Sequence, residues 1–349
     1  IMKENIVVLF GGQSPEHEIS LMSATTIIKN IDKEKYNIYP IGITKEGKWL
    51  LYQGKIEGIV ENKWIKKGIP AIISPDASHK GIIILRDEPL FVQIDKVFPV
   101  LHGSNGEDGT IQGLLEMAQI PYVGCGVMSS AVSMDKSATK IMADAYKVPQ
   151  AQYVLVKADR LDKMDEIIEK IESQLPYPYF IKPANTGSSV GISKVNNKEE
   201  LIKGLEYAAK FDNKILVEET IVGREVETAA LGNDKIEISG VGEIIADADF
   251  YDYDAKYNNP DSQTLVNADL PDDIKEEIRS YARTIFKAVD GKGLARIDFF
   301  VSNDNRVIFN EINTLPGFTS ISMYPMLWKD QGIETPDLVQ KLIDLASLQ

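Results

Sequence analysis

Residues 294–313, LARIDFFVSNDNRVIFNEIN, constrain the chain more tightly than any other stretch. Two β-prone runs, RIDFFV and VIFNEIN, flank the turn-forming cluster Ser302-Asn303-Asp304-Asn305, the pattern of an antiparallel hairpin. With a symmetric turn, Arg296 faces Asn313 and Asp298 faces Glu311. Side chains alternate along a strand, so these four share one face, and Ile297, Phe299, Val301, Ile308 and Ile312 fall on the opposite, core-facing one. Facing carboxylates then stand about 5 Å apart at Cβ. Two unit charges 4 Å apart cost roughly 4 kcal/mol at an effective dielectric of about 20. Something positive must separate them. Two readings stand: Arg296 and solvent in a surface ribbon, or Mg²⁺, a hard cation that takes oxygen ligands and keeps phosphates as partners.

A chain of 349 residues has room for two or three domains and a sizeable core. Its net charge of −14 argues against nucleic acid or an anionic membrane as the main partner, but not against a nucleotide, which needs only local cations. The single cysteine, Cys125, cannot form an internal disulfide; its expected role is a small apolar residue in a reducing compartment. No apolar run is long enough to span a bilayer, and Ile6–Phe10 is too short for a signal segment. A cytoplasmic protein is expected.

In chain order, the buried run Ile6–Phe10 ends in Gly11-Gly12-Gln13-Ser14, and Pro15-Glu16-His17-Glu18 opens a helix to about Asn30. This is a strand–loop–helix unit of an open α/β sheet, where ligands bind beyond the carboxyl ends of the strands. GGQSPE is not GxGxxG, which disfavours a dinucleotide site. Glu16 either matches the helix dipole or binds a ligand's ammonium. Strands follow at NIYPIGIT, KWLLY, AIIS, GIIIL, VFPVL and PYVG, with a helix over IQGLLEMAQ, and Ser129–Lys136 leads into another that reaches about Tyr146. Three glycines in 102–110 let a backbone approach a ligand; His102 is a contact there or a structural loop histidine. Residues 150–215 read strand, helix, strand, Gly/Ser loop, strand, helix, strand. The loop Lys182–Gly191 lacks the Walker pattern but could wrap phosphate oxygens with backbone N–H groups and hydroxyls, with Lys182 as a point charge. Glu218 and Glu219, at a strand end, could accept hydrogen bonds from an amino group or ribose hydroxyls, or be solvated. The aromatic, irregular run 250–260 reads as a lid. Helices are expected over 272–290, near 322–328, and from Thr335-Pro336, with Thr335 as the cap.

Taken together, GGQSPEHEISL, HGSNGEDGTIQG, VSMDK, FIKPANTGSSVGISKV, VEETIVGRE, YDYDAKY, ARIDFF and NEINTLPGFTS resemble the D-alanine–D-alanine ligases of the ATP-grasp superfamily, in family order over almost the whole chain. The resemblance implies an α/β (α+β) ATP-grasp fold of three domains: 1–125, an N-terminal α/β substrate domain; 126–215, central; and 216–349, C-terminal and catalytic. ATP would be gripped between the last two. It implies that Lys136, Lys182 and Lys256 contact phosphates under a loop carrying Ser188 and Ser189. Glu218, Glu219, Ile221 and Glu225 would hold the adenosine. Asp298, Glu311 and Asn313 would bind two Mg²⁺ or Mn²⁺ ions, with K⁺ a further cation. Glu16 would hold the first D-alanine's ammonium. Arg296 and the Gly317 N–H would form an oxyanion site. His102, Ser322 and Met323 would contact substrate, and Tyr257 would bond toward Ser188 and Glu16. The implied chemistry is ADP-forming ligation of two D-alanines through a D-alanyl phosphate, for peptidoglycan synthesis, in a homodimer with neither nucleic acid nor membrane as partner.

Two alternatives remain. The glycopeptide-resistance branch often has arginine at the position of Met323; an apolar Met323 and the lid Tyr257 suit D-alanine. IGITKEGKW, VGC, and TLPGFTS with Tyr324-Pro325 are nevertheless similar to that branch, so D-alanine–D-serine ligation is the alternative. The other is a nucleotide-binding protein without ligase activity, against which every carried-over acid and lysine is intact.

Overall fold

The structure is a computed structural model that describes residues 2–245 and 263–349. Lys256, Tyr257 and the expected lid lie outside the described residues.

The chain begins β1 (Glu4–Gly11), α1 (His17–Asn30), β2 (Tyr36–Ile43), β3 (Trp49–Leu51), α2 (Glu57–Val60), α3 (Lys63–Lys67), β4 (Ile69–Ile73), β5 (Gly81–Ile84), β6 (Leu90–Gln93), β7 (Lys96–Val100) and α4 (Thr110–Ala118). The seven strands form one sheet in the order β6-β5-β4-β3-β2-β1-β7. Parallel pairing of β1 with β2 and β7 explains why Ile6–Phe10 is apolar on both faces: each of those side chains is fully buried. At the carboxyl end of β1 the chain needs glycine. Gly11 has φ 85°, and a Cβ there would lie 2.3 Å from the Ile43 carbonyl oxygen. Glu16 takes the N-cap position of α1 but makes no side-chain cap bond, so its carboxylate is available to the loop space above the sheet.

Next come α5 (Val127–Met134), α6 (Lys136–Ala145), β8 (Tyr153–Lys157), α7 (Met164–Gln174), β9 (Tyr179–Pro183), β10 (Ser193–Val195), α8 (Lys198–Ala208) and β11 (Lys214–Glu219). The four strands form an antiparallel sheet, β10-β9-β11-β8. The third sheet, β14-β13-β12-β15-β16, comprises β12 (Gly223–Leu231), β13 (Glu237–Ile245), β14 (Gln263–Leu265), β15 (Leu294–Ser302) and β16 (Val307–Asn313). Helix α9 (Asp272–Ala288) packs on one of its faces; α10 (Met323–Asp330) and α11 (Thr335–Asp344) close the chain.

Several expectations need correction. The helix expected to reach about Tyr146 is α6, but the residues leading into it form a helix of their own, α5, because Asp135 turns extended (φ −81°, ψ 99°) and caps α6 by accepting from Ser137 N and Ala138 N. PYVG is not a strand; only Tyr122 bridges, to Val97 and to Ser347. The last helix is capped by Glu334, with Thr335 its first residue. The hairpin register holds for Arg296↔Asn313 and Asp298↔Glu311, then shifts: Phe299 pairs with Phe309 and Val301 with Val307. Asn310 is the extra residue of a bulge. The core face therefore carries Val307 and Phe309 rather than Ile308. Finally, the expected boundary at 215/216 falls inside β11, which belongs wholly to the second sheet.

Three of the cores explain the arrangement. One joins Ile6, Val8 and Phe10 of the first sheet to Ala229 and Leu231 of the third and to Leu338 and Leu342 of α11. Another lies between the third sheet and α9, with Cys125 buried in it. The four-stranded sheet has a core of its own, from Val154 through Ile181 to Val217.

Candidate active site

The three sheets converge on a cavity of about 480 Å³. Glu16 and His102 reach it from loops beyond the first sheet. Lys136, Lys182, Ser188, Ser189, Glu218, Glu219 and Ile221 line it from the second. Glu225, Arg296, Asp298, Glu311, Asn313 and Gly317 line it from the third. This size suits a small ligand and its cofactor.

At one end, Lys182 on β9 and Glu218 on β11 meet across the strand pair, with Nζ 2.7 Å from Oε2. The other oxygen, Oε1, lies 3.3 Å from Lys140 Nζ. Burial pushes the Glu218 carboxyl up, but Lys140 and Lys182 outweigh it and hold it at about 2. Glu219 accepts from Gln152 N at 2.9 Å. Apolar Phe180, Ile192 and Ile221 complete the walls there.

The middle belongs to the loop after β9. Lys136, at the start of α6, donates to Thr186 O at 2.7 Å and lies 3.9 Å from Glu311 Oε2. Ser188 and Ser189 sit in the left-handed region, at φ 50° and 60°, which serine rarely adopts without a reason. Among the described residues the buried Ser188 Oγ has no hydrogen-bond partner. An orphaned hydroxyl on a strained loop facing a cavity fits an absent ligand's oxygens.

On the hairpin, Arg296 Nε and Nη2 grip Asp298 at 2.8 and 2.7 Å, and Nε lies 3.2 Å from Glu227 Oε2. Asn313 Nδ2 donates to Asp298 Oδ2 at 3.1 Å. Burial would weaken the arginine's charge, but Asp298 and Glu227 override it and push its pKa up. No group of three or more His, Cys, Asp or Glu side chains suited to a metal occurs among the described residues. The donors are the carboxylates of Asp298 and Glu311 with the Asn313 amide, all capable of offering oxygen. That set fits Mg²⁺, which binds one or two carboxylates and completes its shell with water and phosphate.

At the other end, Glu107 accepts from Gly103 N and Leu315 N, both at 2.8 Å. Burial first, and Glu16 second, push its carboxyl up to about 8, against the two N–H donors. His102 is buried, which lowers its pKa. The Leu315 carbonyl can only accept, so Nδ1, 2.7 Å away, carries the proton. Nε2 then accepts from Ser23 Oγ at 3.0 Å, and Ser23 Oγ accepts from Phe318 N at 2.9 Å. His102 and Glu107 together clamp the 315–318 loop that bears Gly317. A Cβ on Gly317 would lie 2.8 Å from Ser322 Oγ.

Two expected substrate contacts are not brought to the cavity. Ser322 Oγ accepts from Thr319 N at 3.0 Å and shares a 2.8 Å bond with Thr319 Oγ1. Met323 is buried in the core, so close to Gly242 that a Cβ there would lie 2.5 Å from its sulfur. Three residues escaped sequence reasoning. Lys140 stands one helical turn after Lys136, and Glu227 two residues after Glu225 on the same face, so periodicity alone could have found both. Glu107 lies within HGSNGEDG but carries no distinguishing signal.

Comparison with known proteins supplies the context. Residues 5–125 match the family described as D-ala D-ala ligase N-terminus, and residues 142–344 match D-ala D-ala ligase C-terminus. The chain is 52% identical over 347 residues to a D-alanine--D-alanine ligase of Caldicellulosiruptor bescii, covering 99% of this chain and 95% of the relative. It superposes on the VanG D-Ala:D-Ser ligase from Enterococcus faecalis with TM-score 0.91 and 40% identity, covering 99% of each chain. The D-alanine-D-alanine ligase from Coxiella burnetii follows at TM-score 0.85 and 35% identity, covering 99% of this chain and 94% of that one.

Proposed function

The chain belongs to the D-alanine–D-alanine ligase family, and on that premise we propose how its residues divide the work. It is an ATP-dependent ligase with the ATP-grasp fold, joining two D-alanines for peptidoglycan synthesis. The observation that carries the assignment is half identity to such a ligase along virtually the whole chain.

In the proposed reading, the adenine lies against Glu218, Glu219 and Ile221, and Glu225 takes the ribose hydroxyls. Lys136, Lys182 and the Ser188–Ser189 loop hold the phosphates, and Lys256 joins them. Asp298, Glu311 and Asn313 would hold Mg²⁺ or Mn²⁺, two ions by the family pattern. Bound there, such ions would neutralise charge on the phosphates. K⁺ would be a further activating cation, tested by its omission.

Glu16 anchors the first D-alanine through its ammonium. The substrate carboxylate attacks the γ-phosphorus; an O–P bond forms, the bond to the β-phosphate oxygen breaks, and ADP leaves a D-alanyl phosphate. Lys136 and Lys182 are fixed before the reaction, so they stabilise the transferring charge without reorganising. The amine of the second D-alanine attacks the acyl carbon. Arg296, held in place by Asp298 and Glu227, and the Gly317 N–H stabilise the oxyanion until phosphate departs. Tyr257 would help exclude water. His102 acts by holding the Gly317 loop.

The superposition on a D-Ala:D-Ser ligase supports D-serine as the alternative second substrate. A pocket rejects one added hydroxyl only weakly. Three further readings complete the proposal: domains meeting near 125 and in the 220–222 turn, a homodimer, and a cytoplasmic enzyme. No described helix is long and apolar enough to cross a membrane.

The test is ADP release with D-alanine alone, then with D-serine or D-lactate added, with products identified by mass. D-alanyl-D-alanine as the main product is expected; no amino-acid-dependent ADP release would overturn the proposal. Asp298→Asn and Glu311→Gln should each lower kcat by roughly 10²–10³ with the circular dichroism unchanged. Full activity of the double variant would remove the metal assignment.

A further inference from the structure

Lys140 lies at the edge of the site without lining it. Its side chain is only 3% exposed. The ammonium has three neighbours: Glu218 Oε1 at 3.3 Å, the Ala151 carbonyl at 3.5 Å, and the Tyr153 ring, whose centroid is 5.0 Å away. Folding alone does not call for this. Buried ion pairs are often replaceable by apolar side chains without loss of stability, and a methionine would fill the same space. What an apolar residue could not do is hold Glu218.

A carboxylate offers about four lone-pair sites. Lys182 takes one on Oε2 and Lys140 one on Oε1, which leaves an acceptor site on each oxygen of a group that lines the cavity. The carboxylate is thereby fixed in rotation and in charge. Glu219–Val222 and the apolar residues Phe180 and Ile192 line the same cavity, and apolar side chains of that kind suit the faces of a flat heterocycle. The charges also count. With one cation alone, Glu218 would use up the Lys182 charge. With two, these three groups together keep one positive charge, and Lys182, the lysine of the two that lines the cavity, also faces Glu311 and Glu225.

We propose that Lys140 is a positioning residue for base selection. By fixing Glu218 as an oriented acceptor, it makes this end of the cavity take an aminopurine and reject a base that presents a carbonyl there, and it leaves the Lys182 charge for the phosphates. The inference rests on the reading of the cavity as a nucleotide site.

Calorimetric titration with ADP and with GDP, both with Mg²⁺, tests it on wild type, Lys140→Met, Glu218→Gln and the double variant, alongside steady-state kinetics. Wild type should prefer ADP. Lys140→Met should weaken ADP roughly tenfold, as expected for a lost charge-assisted contact, and narrow the ADP/GDP ratio. KM for ATP should rise while kcat at saturating ATP stays within about twofold, the signature of lost uniform binding. The double variant should be no worse than Glu218→Gln, because Lys140 acts through that carboxylate. Unchanged ADP affinity and selectivity in Lys140→Met, or full additivity in the double variant, overturns the inference and leaves the nucleotide reading intact. A wild type that binds neither nucleotide overturns both. If Lys140→Met does not fold, Lys140→Arg keeps the charge and Lys140→Gln keeps a donor without it. Selectivity retained in the first and lost in the second supports the role; equal behaviour overturns it.

Discussion

Glu218 and Glu107 line opposite ends of one cavity, and their surroundings drive them in opposite directions. Glu218 sits between two lysines and is held at about 2. Glu107 has two backbone N–H donors and a neighbouring carboxylate, Glu16, and is pushed to about 8. Burial acts on both in the same sense, so the partners decide the outcome. The lesson concerns what each end offers. The Glu218 end holds an ionised carboxylate between two cations, which is what the proposed adenine site would use. At the other end burial and Glu16 keep Glu107 protonated near neutral pH, which leaves Glu16 as the carboxylate to which the proposed substrate ammonium would bind.

The contrast breaks most severely at Lys182. Replacing it with methionine strips the Glu218 end of its cavity-lining cation, and kcat/KM for ATP should fall roughly 10²–10³-fold in an ADP-release assay. Glu16→Gln sharpens the contrast from the other side. The KM for D-alanine should rise roughly ten- to a hundredfold, the scale of one charge-assisted hydrogen bond, while nucleotide affinity measured by calorimetry stays put. The smallest effect is on stability. Glu107 in the folded chain binds its proton more tightly than at the ordinary value of 4.5. Its contribution is therefore fully present below about 4.5 and is lost as pH rises through about 8. Glu218 behaves oppositely, contributing above about 4.5 and losing that contribution as pH falls toward 2. Between pH 5 and 9 the wild-type melting temperature should decline more steeply than that of Glu107→Gln, by a few degrees across roughly that window. Parallel curves would show that Glu107 carries no such linkage.

Much of this was legible in the sequence. Period-two alternation put Arg296, Asp298, Glu311 and Asn313 on one face, and the structure pairs them as expected. The same reasoning failed at Ile308, because Asn310 bulges and reverses the alternation from there to the turn; no local residue preference announces a bulge. Asp135 lay in a run read only as leading into a helix, and the structure makes it the cap that divides α5 from α6. Glu107 depends on a partner far away in sequence, Leu315, and such a long-range pairing leaves no mark on a local pattern, whereas Glu227 could have been found from the strand period. Ser322 and Met323 show the converse: position in a motif does not determine which way a side chain turns.

The separate core of the four-stranded sheet has a mechanical consequence. Since its apolar residues join neither of the other cores described, the cleft can gape without wetting any of them. Among the described residues the contacts that tie this sheet to α6 include Lys136 with Thr186 and Lys214 with Asp135. A swing of that sheet would therefore be opposed in part by hydrogen bonds that water replaces, and it would open the cavity to nucleotide without dividing a core.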